Sequence, residues 1–359
     1  IPVLIVPYYS VIGGWVIKYL VEYFRGNAKQ LAEDGYFTDF ISNGVSTELC
    51  FMAFCAFTLI IIFAGVQNGI ERVSKIMMPI LIVLSVIIAV YSVTRPGALA
   101  GVKYFLVPNV KNFSWMTVVS AMGQMFYSLS IAMGILITFG SYMKKDTAIE
   151  DSTRNVEVFD TGIAIMAGLM IIPAVFAFSG GDPNTLQAGP SLMFITIPKV
   201  FQNMGFGTVI GIVFFLLVLF AAVTSSIALT ESAVSTFEDE LGWGRKKATV
   251  LVGVIMLALG SLSSLGYGPL AGIKIIGMQF LDLFDFLTNS VMMPIAALLT
   301  SLLVSRVVGI DKIEDEIIHG ESAFRRKKVF VVMIKYLCPV FAIIILLSSV
   351  ANALGWIKM

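Results

Sequence analysis

Apolar residues in this chain do not alternate with polar ones; they run on. Stretches of about twenty apolar positions recur between short polar connections, each long enough to cross the hydrocarbon core of a bilayer as one helix. Ile1 to Phe24, Thr47 to Gln67 and Ile76 to Val93 read as the first three spans. Gly26 to Ser46 is a polar loop, and Thr94-Arg95-Pro96-Gly97 ends the third span, because proline and glycine stop helices. Later spans are Val158 to Phe178, Gly207 to Phe237, Ala248 to Leu265, Ile275 to Val308 and Phe330 to Leu354, the last kinked near Pro339. With Trp115 to Tyr142 this makes about nine spans in one transmembrane domain over residues 1–359. Residues 179–206 are too polar and too broken to span, and read as an extracellular hairpin loop.

The span from Trp115 to Tyr142 differs from the others. Its centre, in GQMFYSLSIAMGILITFGSY from Gly123, carries Ser128, Ser130, Ala132 and Gly134 on alternate positions. Glycine costs backbone entropy in a helix, and serine hydroxyls compete for backbone hydrogen bonds. Freed peptide groups in hydrocarbon need another partner. The span therefore reads as a helix broken over 115–143, facing protein or a cavity that holds something polar.

Composition agrees with this picture. The chain has 359 residues, 58% of them hydrophobic and 13% charged, with a mean hydropathy of +0.92. That excludes an ordinary soluble domain and implies an all-α polytopic membrane protein. The net charge of +1 comes with no basic patch, so nucleic acid is not expected as a partner. Cys50, Cys55 and Cys338 lie in apolar runs, which speaks against disulfides and a zinc cluster. The chain begins at Ile1 inside an apolar run, with no visible signal peptide. Lys and Arg crowd the connections after the second, fourth, sixth and eighth spans, for example Arg72, Lys144, Lys145, Arg245, Lys246, Arg325 and Arg326. The positive-inside rule puts those connections in the cytoplasm and the loop around Pro190 outside.

Several polar positions in apolar surroundings are candidates for chemistry, each with a plainer reading. Ser128 and Ser130 suit a binding site or close helix packing. Ala221, Thr224 and Ser225 share a helix face, where a carbonyl and two hydroxyls offer oxygens to a hard cation; packing is the alternative. Asp160, at the edge of an apolar span, is a functional carboxylate or a helix N-cap. Tyr8 and Tyr9 sit deep in the first span, where a phenol wants a partner. Asp282 and Asp285 gate or cap; Asp239 gates or ends a helix in solvent. His319 lies in a charged connection, and no nucleophile, phosphate loop or metal-ligand cluster is visible, so enzyme chemistry is not expected.

At the broken span the sequence resembles the neurotransmitter:sodium symporter family, in its bacterial and archaeal leucine-transporter-like members. GQMFYSLSIAMG is similar to the family's unwound sixth helix. GIERVSKIMMP, TRPGALAG, AGPSLMFITIPKVF, FAAVTSSIA and FEDELGWGRKKA follow the family order over nearly the whole chain. The resemblance implies an inverted-repeat helix bundle with its substrate site at a helix break near the midplane. It places Ile1 at the start of the family's third helix, so that the chain reads as truncated, without the first two.

The resemblance also implies roles. Tyr9 would bind the substrate carboxylate, with Ile5 one turn away. Tyr127 would be the aromatic lid, Ser130 a substrate contact, and Met133, Ser225 and Leu229 further substrate-site residues. Ser128, which also contacts substrate, and Asp160 would hold one sodium ion. The Ala221 carbonyl, Thr224 and Ser225 would hold another. Gln124 and Asp285 would belong to an outer gate, Tyr142 and Asp239 to an inner one. Asp160 stands where many members have asparagine, and Ala164 where chloride-dependent members have serine, which implies chloride independence. The expected function is sodium-coupled symport of a hydrophobic or aromatic amino acid across the plasma membrane, with sodium but no organic cofactor. A non-transporting membrane receptor or regulatory protein on the same fold is the alternative.

Overall fold

A computed structural model describes residues 1–182, 186–187, 189–321 and 323–353, and the described residues are helical throughout apart from turns and connections. In chain order the helices are α1 (Pro2–Phe24), α2 (Ala28–Leu31), α3 (Tyr36–Ser42), α4 (Gly44–Phe63), α5 (Val66–Val93), α6 (Ala98–Leu106), α7 (Trp115–Ser128) and α8 (Ile135–Ser141). Then follow α9 (Ile149–Ser179), α10 (Leu192–Gln202), α11 (Gly207–Leu241), α12 (Arg245–Leu265), α13 (Phe280–Val308), α14 (Ile310–Gly320) and α15 (Lys327–Ala353). Among the described residues, eight of these are long and apolar enough to cross a membrane. The remaining expected crossing is the broken one, whose halves are α7 and α8.

Helix starts differ most from the sequence reading. The expected loop at 26–46 winds into α2 and α3. Helix α5 begins at Val66 rather than Ile76, after Gly65 (φ 87°) turns the chain, and Glu71, at the end of its wide opening turn, pairs with Lys75 at 2.6 Å. Helix α9 begins at Ile149 rather than Val158, with Glu150 and Asp151 in a first turn where the helix dipole favours negative charge. In both cases polar residues at the helix start interrupt the apolar run and so read as loop.

In the segment 179–206, α10 is the helix formed by the described residues; residues 183–185 and 188, on which part of the expected hairpin falls, lie outside the described residues. Gly180 and Gly181, just past α9, and Gly189, just before α10, have left-handed φ values of 67°, 95° and 66°, which glycine adopts without steric cost. Pro198 has no N–H to give the Phe194 carbonyl one turn back. The Tyr19 hydroxyl of α1 donates to that carbonyl instead, at 2.7 Å. The Phe194 ring stacks on Phe37 at 5.2 Å and meets the edges of Trp15 and Tyr19 at 5.7 and 5.1 Å. An aromatic cluster thus fixes α10 to α1 and α3.

Wide, π-type turns precede two other prolines. Phe286–Met292 leads to Pro294 in α13, and Met333–Leu337 leads to Pro339 in α15. In each, the carbonyl that the proline ring would strike, that of Ser290 or Lys335, lies inside the widened turn. The kink expected at Pro339 has this form.

The chain divides into two compact units. The larger comprises Val6–Val110 and Gly162–Leu281, and in it α11 packs against α4, α5 and α12. The smaller comprises Ile1–Ile5, Lys111–Thr161 and the chain from Asp282 on; in it α13 packs along α15, and α7 also rests on α15.

Candidate functional site

In the smaller unit the site is built around the break between α7 and α8. Ser114 starts α7 with a reciprocal cap: its hydroxyl accepts from the Thr117 N–H at 3.3 Å, and the Thr117 hydroxyl accepts from the Ser114 N–H at 3.2 Å. Helical geometry lasts to Ser128. The Ile131 N–H then reaches back to the Phe126 carbonyl at 2.9 Å, a closing turn, and helix resumes only when the Thr138 N–H bonds to the Gly134 carbonyl at 2.9 Å. Between these points Ser130, Ala132 and Gly134 take left-handed φ values of 54°, 63° and 85°. Ser130 and Ala132 carry side chains in that region at a steric cost, which a fold retains where surrounding structure over-determines it.

Across the break stands α9. The Ser128 hydroxyl donates to Asp160 Oδ1 at 2.6 Å, a short, charge-assisted bond. Asp160 is half-buried within α9, eleven residues past its start at Ile149, and so is not an N-cap. The break and the carboxylate form one feature: a hydroxyl, a carboxylate and a stretch of non-helical backbone. Hard oxygen donors of this kind suit an alkali or alkaline-earth cation and not a soft metal.

Tyr127 lies one residue before Ser128, half-buried. It lines a cavity of 170 Å³ with Gly123, Phe126, Asn289, Met293 and Ile345. Asn289 in turn donates to Asp285 Oδ1 at 2.6 Å. Gln124 is exposed one turn before Tyr127. Met133, inside the break, is buried at 4% exposure. Tyr142 caps the end of α8, its ring edge-on to Phe139 at 6.0 Å.

In the larger unit the candidates gather on α11. The Thr224 hydroxyl donates to the Phe220 and Ala221 carbonyls, both at 3.0 Å, so the Ala221 carbonyl and the Thr224 oxygen are neighbours. Ser225 is exposed, and its hydroxyl is hydrogen-bonded to the phenol of Tyr9 on α1. The adjacent Ser226 is wholly buried against Thr58 at 3.1 Å, a packing contact between α11 and α4. Three consecutive hydroxyls thus divide between an accessible pair and a packing one. Leu229 is buried one turn beyond Ser225, and Asp239 is exposed in the last turn of α11. Ile5 is fully buried.

Sequence reasoning did not single out Glu231. This carboxylate has 0% exposure on α11 and takes both ends of the Arg245 guanidinium, at 2.9 and 2.6 Å. Arg245 also donates through Nε to the Ile62 carbonyl at 3.1 Å, tying the start of α12 to the end of α4. The signal was present, a lone carboxylate in an apolar run, but its partner lies beyond the end of the helix.

With the geometry in place, comparison with known proteins decides the family. Residues 18–356 match the model of the sodium:neurotransmitter symporter family. The chain belongs to that family. It is 34% identical over 351 residues to the uncharacterised sodium-dependent transporter YhdH of Bacillus subtilis, covering 97% of this chain and 77% of the relative. It is 31% identical over 356 residues to an uncharacterised sodium-dependent transporter of Haemophilus influenzae, covering 96% and 76%. Among solved structures, MhsT in complex with L-phenylalanine matches with a TM-score of 0.84 at 33% identity, over 97% of this chain and 79% of that one.

The symporter is therefore a multi-pass membrane protein with the leucine-transporter-like fold expected from its sequence. Family and fold together support sodium-coupled transport.

Proposed function

We propose that this symporter carries a hydrophobic or aromatic amino acid across the plasma membrane with sodium, by alternating access. The clasp of Ser128 to Asp160 beside six residues of non-helical backbone carries the reading. In it, Ser128 and Asp160 ligate one sodium ion. The Ala221 carbonyl, Thr224 and Ser225 ligate a second. Tyr9 is assigned to the substrate's carboxylate and Ser130 to its polar groups; Ile5, Met133 and Leu229 are assigned to its side chain. Tyr127 closes over it, with Gln124 and Asp285 at the outer gate and Tyr142 and Asp239 at the inner one.

Two observations support an apolar substrate. Met133 and Leu229 are buried, apolar and polarisable or flexible enough to accept a large side chain. A solved relative at 33% identity is a complex with L-phenylalanine. Coupling has a candidate path in the bond between Tyr9 and Ser225, one residue assigned to substrate and one to sodium. Each ligand must bind better when the other is present, by an equal factor.

The experiment is uptake of labelled L-phenylalanine into vesicles containing the protein. An inward sodium gradient should drive accumulation above equilibrium, and a potassium gradient should not. Sodium-dependent binding without any flux would instead favour a receptor on the same fold.

A further inference from the structure

The start of α9 is held by a segment far away in sequence. Glu321, immediately after α14, turns its carboxylate onto the first turn of α9. Its Oε1 accepts from the Glu150 N–H at 2.6 Å and the Asp151 N–H at 3.3 Å. These are among the amides that a helix cannot satisfy internally, and a full negative charge meets them at the positive end of the helix dipole. The contact is reciprocal: the Arg325 N–H donates to Glu150 Oε2 at 2.9 Å. The Arg326 guanidinium pairs with Glu157 at 2.8 Å and lies 3.9 Å from Glu150. Lys327 pairs with Glu314 of α14.

Gly320 shows how close the approach is. A Cβ at that position would lie 2.6 Å from the Thr147 carbonyl oxygen, closer than any side chain can stand. Isolated surface ion pairs are worth little. Here, however, three backbone amides take part, and the Glu150 side chain is only 10% exposed. Residues 147–157 and 314–327 interlock.

Asp160 stands three residues past Glu157 on the same helix. A helix is stiff over such a distance, so what fixes its first turns fixes the direction in which later side chains point. Released ends fray. We infer that Glu321 is a positioning residue: the clamp holds α9 in the rotation that presents Asp160 to Ser128, and so sets the affinity of the sodium site assigned above. The inference rests on that assignment of Asp160.

The test compares wild type, Glu321→Ala and Glu321→Gln in lipid vesicles by two readouts. Amide exchange at Glu150 and Asp151 should quicken about tenfold in Glu321→Ala, the order expected for loss of a helix cap, and less in Glu321→Gln, which keeps an acceptor oxygen. The sodium concentration for half-maximal L-phenylalanine binding should rise about threefold or more in Glu321→Ala and less in Glu321→Gln, while affinity at saturating sodium stays put. Unchanged exchange overturns the clamp. Faster exchange with unchanged sodium dependence makes Glu321 a structural cap only and overturns its positioning role. If Glu321→Ala does not fold, Arg326→Ala leaves the cap in place and should shift sodium dependence in the same direction; no shift overturns the inference. Failure of the sodium assignment shows separately, as an Asp160→Asn variant with wild-type sodium dependence.

Discussion

The charge on Asp160 matters more than its shape. Asp160→Asn keeps an oxygen for the Ser128 hydroxyl and removes only the negative charge. The expected outcome is a rise of about tenfold or more in the sodium needed for half-maximal substrate binding, since charged contacts are about twice as strong as neutral ones. Transport by the wild type should not change when chloride is replaced by gluconate, whereas residual transport in Asp160→Asn should depend on chloride. Unaltered ion dependence in the variant would remove Asp160 from the site. Tyr9→Phe deletes one hydroxyl and should weaken L-phenylalanine binding about fivefold, the worth of about 1 kcal/mol for a single hydrogen bond, with thermal stability near wild type. Equal affinity in the two proteins would take the Tyr9 hydroxyl out of substrate binding. Asp160 stood out in the sequence as a carboxylate at the edge of an apolar span, and its place well inside α9 removes the reading as a helix N-cap. Glu231 was equally isolated but went unread, because its partner Arg245 is fourteen positions on and past a chain reversal. The hydrogen bond between Thr58 and Ser226 joins positions 168 apart and leaves no local trace at all.

Among the elements, the broken crossing was the most legible, because small and hydroxyl residues at its centre are poor helix propagators whatever surrounds them. What the sequence did not show is that Ser130 and Ala132, not only Gly134, adopt left-handed backbone. Local propensity favours glycine there, and tertiary structure overrides it at the other two. Gly134→Val should therefore destabilise the protein by about 1–3 kcal/mol through backbone strain, read as a lowered thermal midpoint in detergent. No change would mean that the turn relaxes freely. The starts of α5 and α9 were misjudged because polar first turns look like loops to a hydropathy pattern. Helix α10 is held by contacts distant in sequence. Phe194 makes the aromatic ones to α1 and α3, so Phe194→Ala should cost about 3–5 kcal/mol, as large core truncations do, and should expose α10 to protease. A loss within about 0.5 kcal/mol, typical of surface sites, would show that the aromatic cluster does not anchor the helix.

For the molecule as a whole, the apolar runs and the order of the polar motifs were enough to give the membrane architecture and the family. The substrate was not legible in the same way, because the room left for a bound side chain is set by packing between positions far apart in sequence. Sodium-coupled symport as proposed requires reciprocity: sodium held at the break and at the hydroxyl pair of α11 must raise the affinity for substrate, and substrate must raise the affinity for sodium by the same factor. The most direct measurement is equilibrium binding of labelled L-phenylalanine across a sodium titration at constant ionic strength, with potassium as the replacing ion. The dissociation constant should fall by about tenfold or more as sodium rises, within the usual range of coupling energies, and the sodium affinity should rise equally when the amino acid is present. Binding of the same strength in sodium and in potassium would contradict sodium coupling.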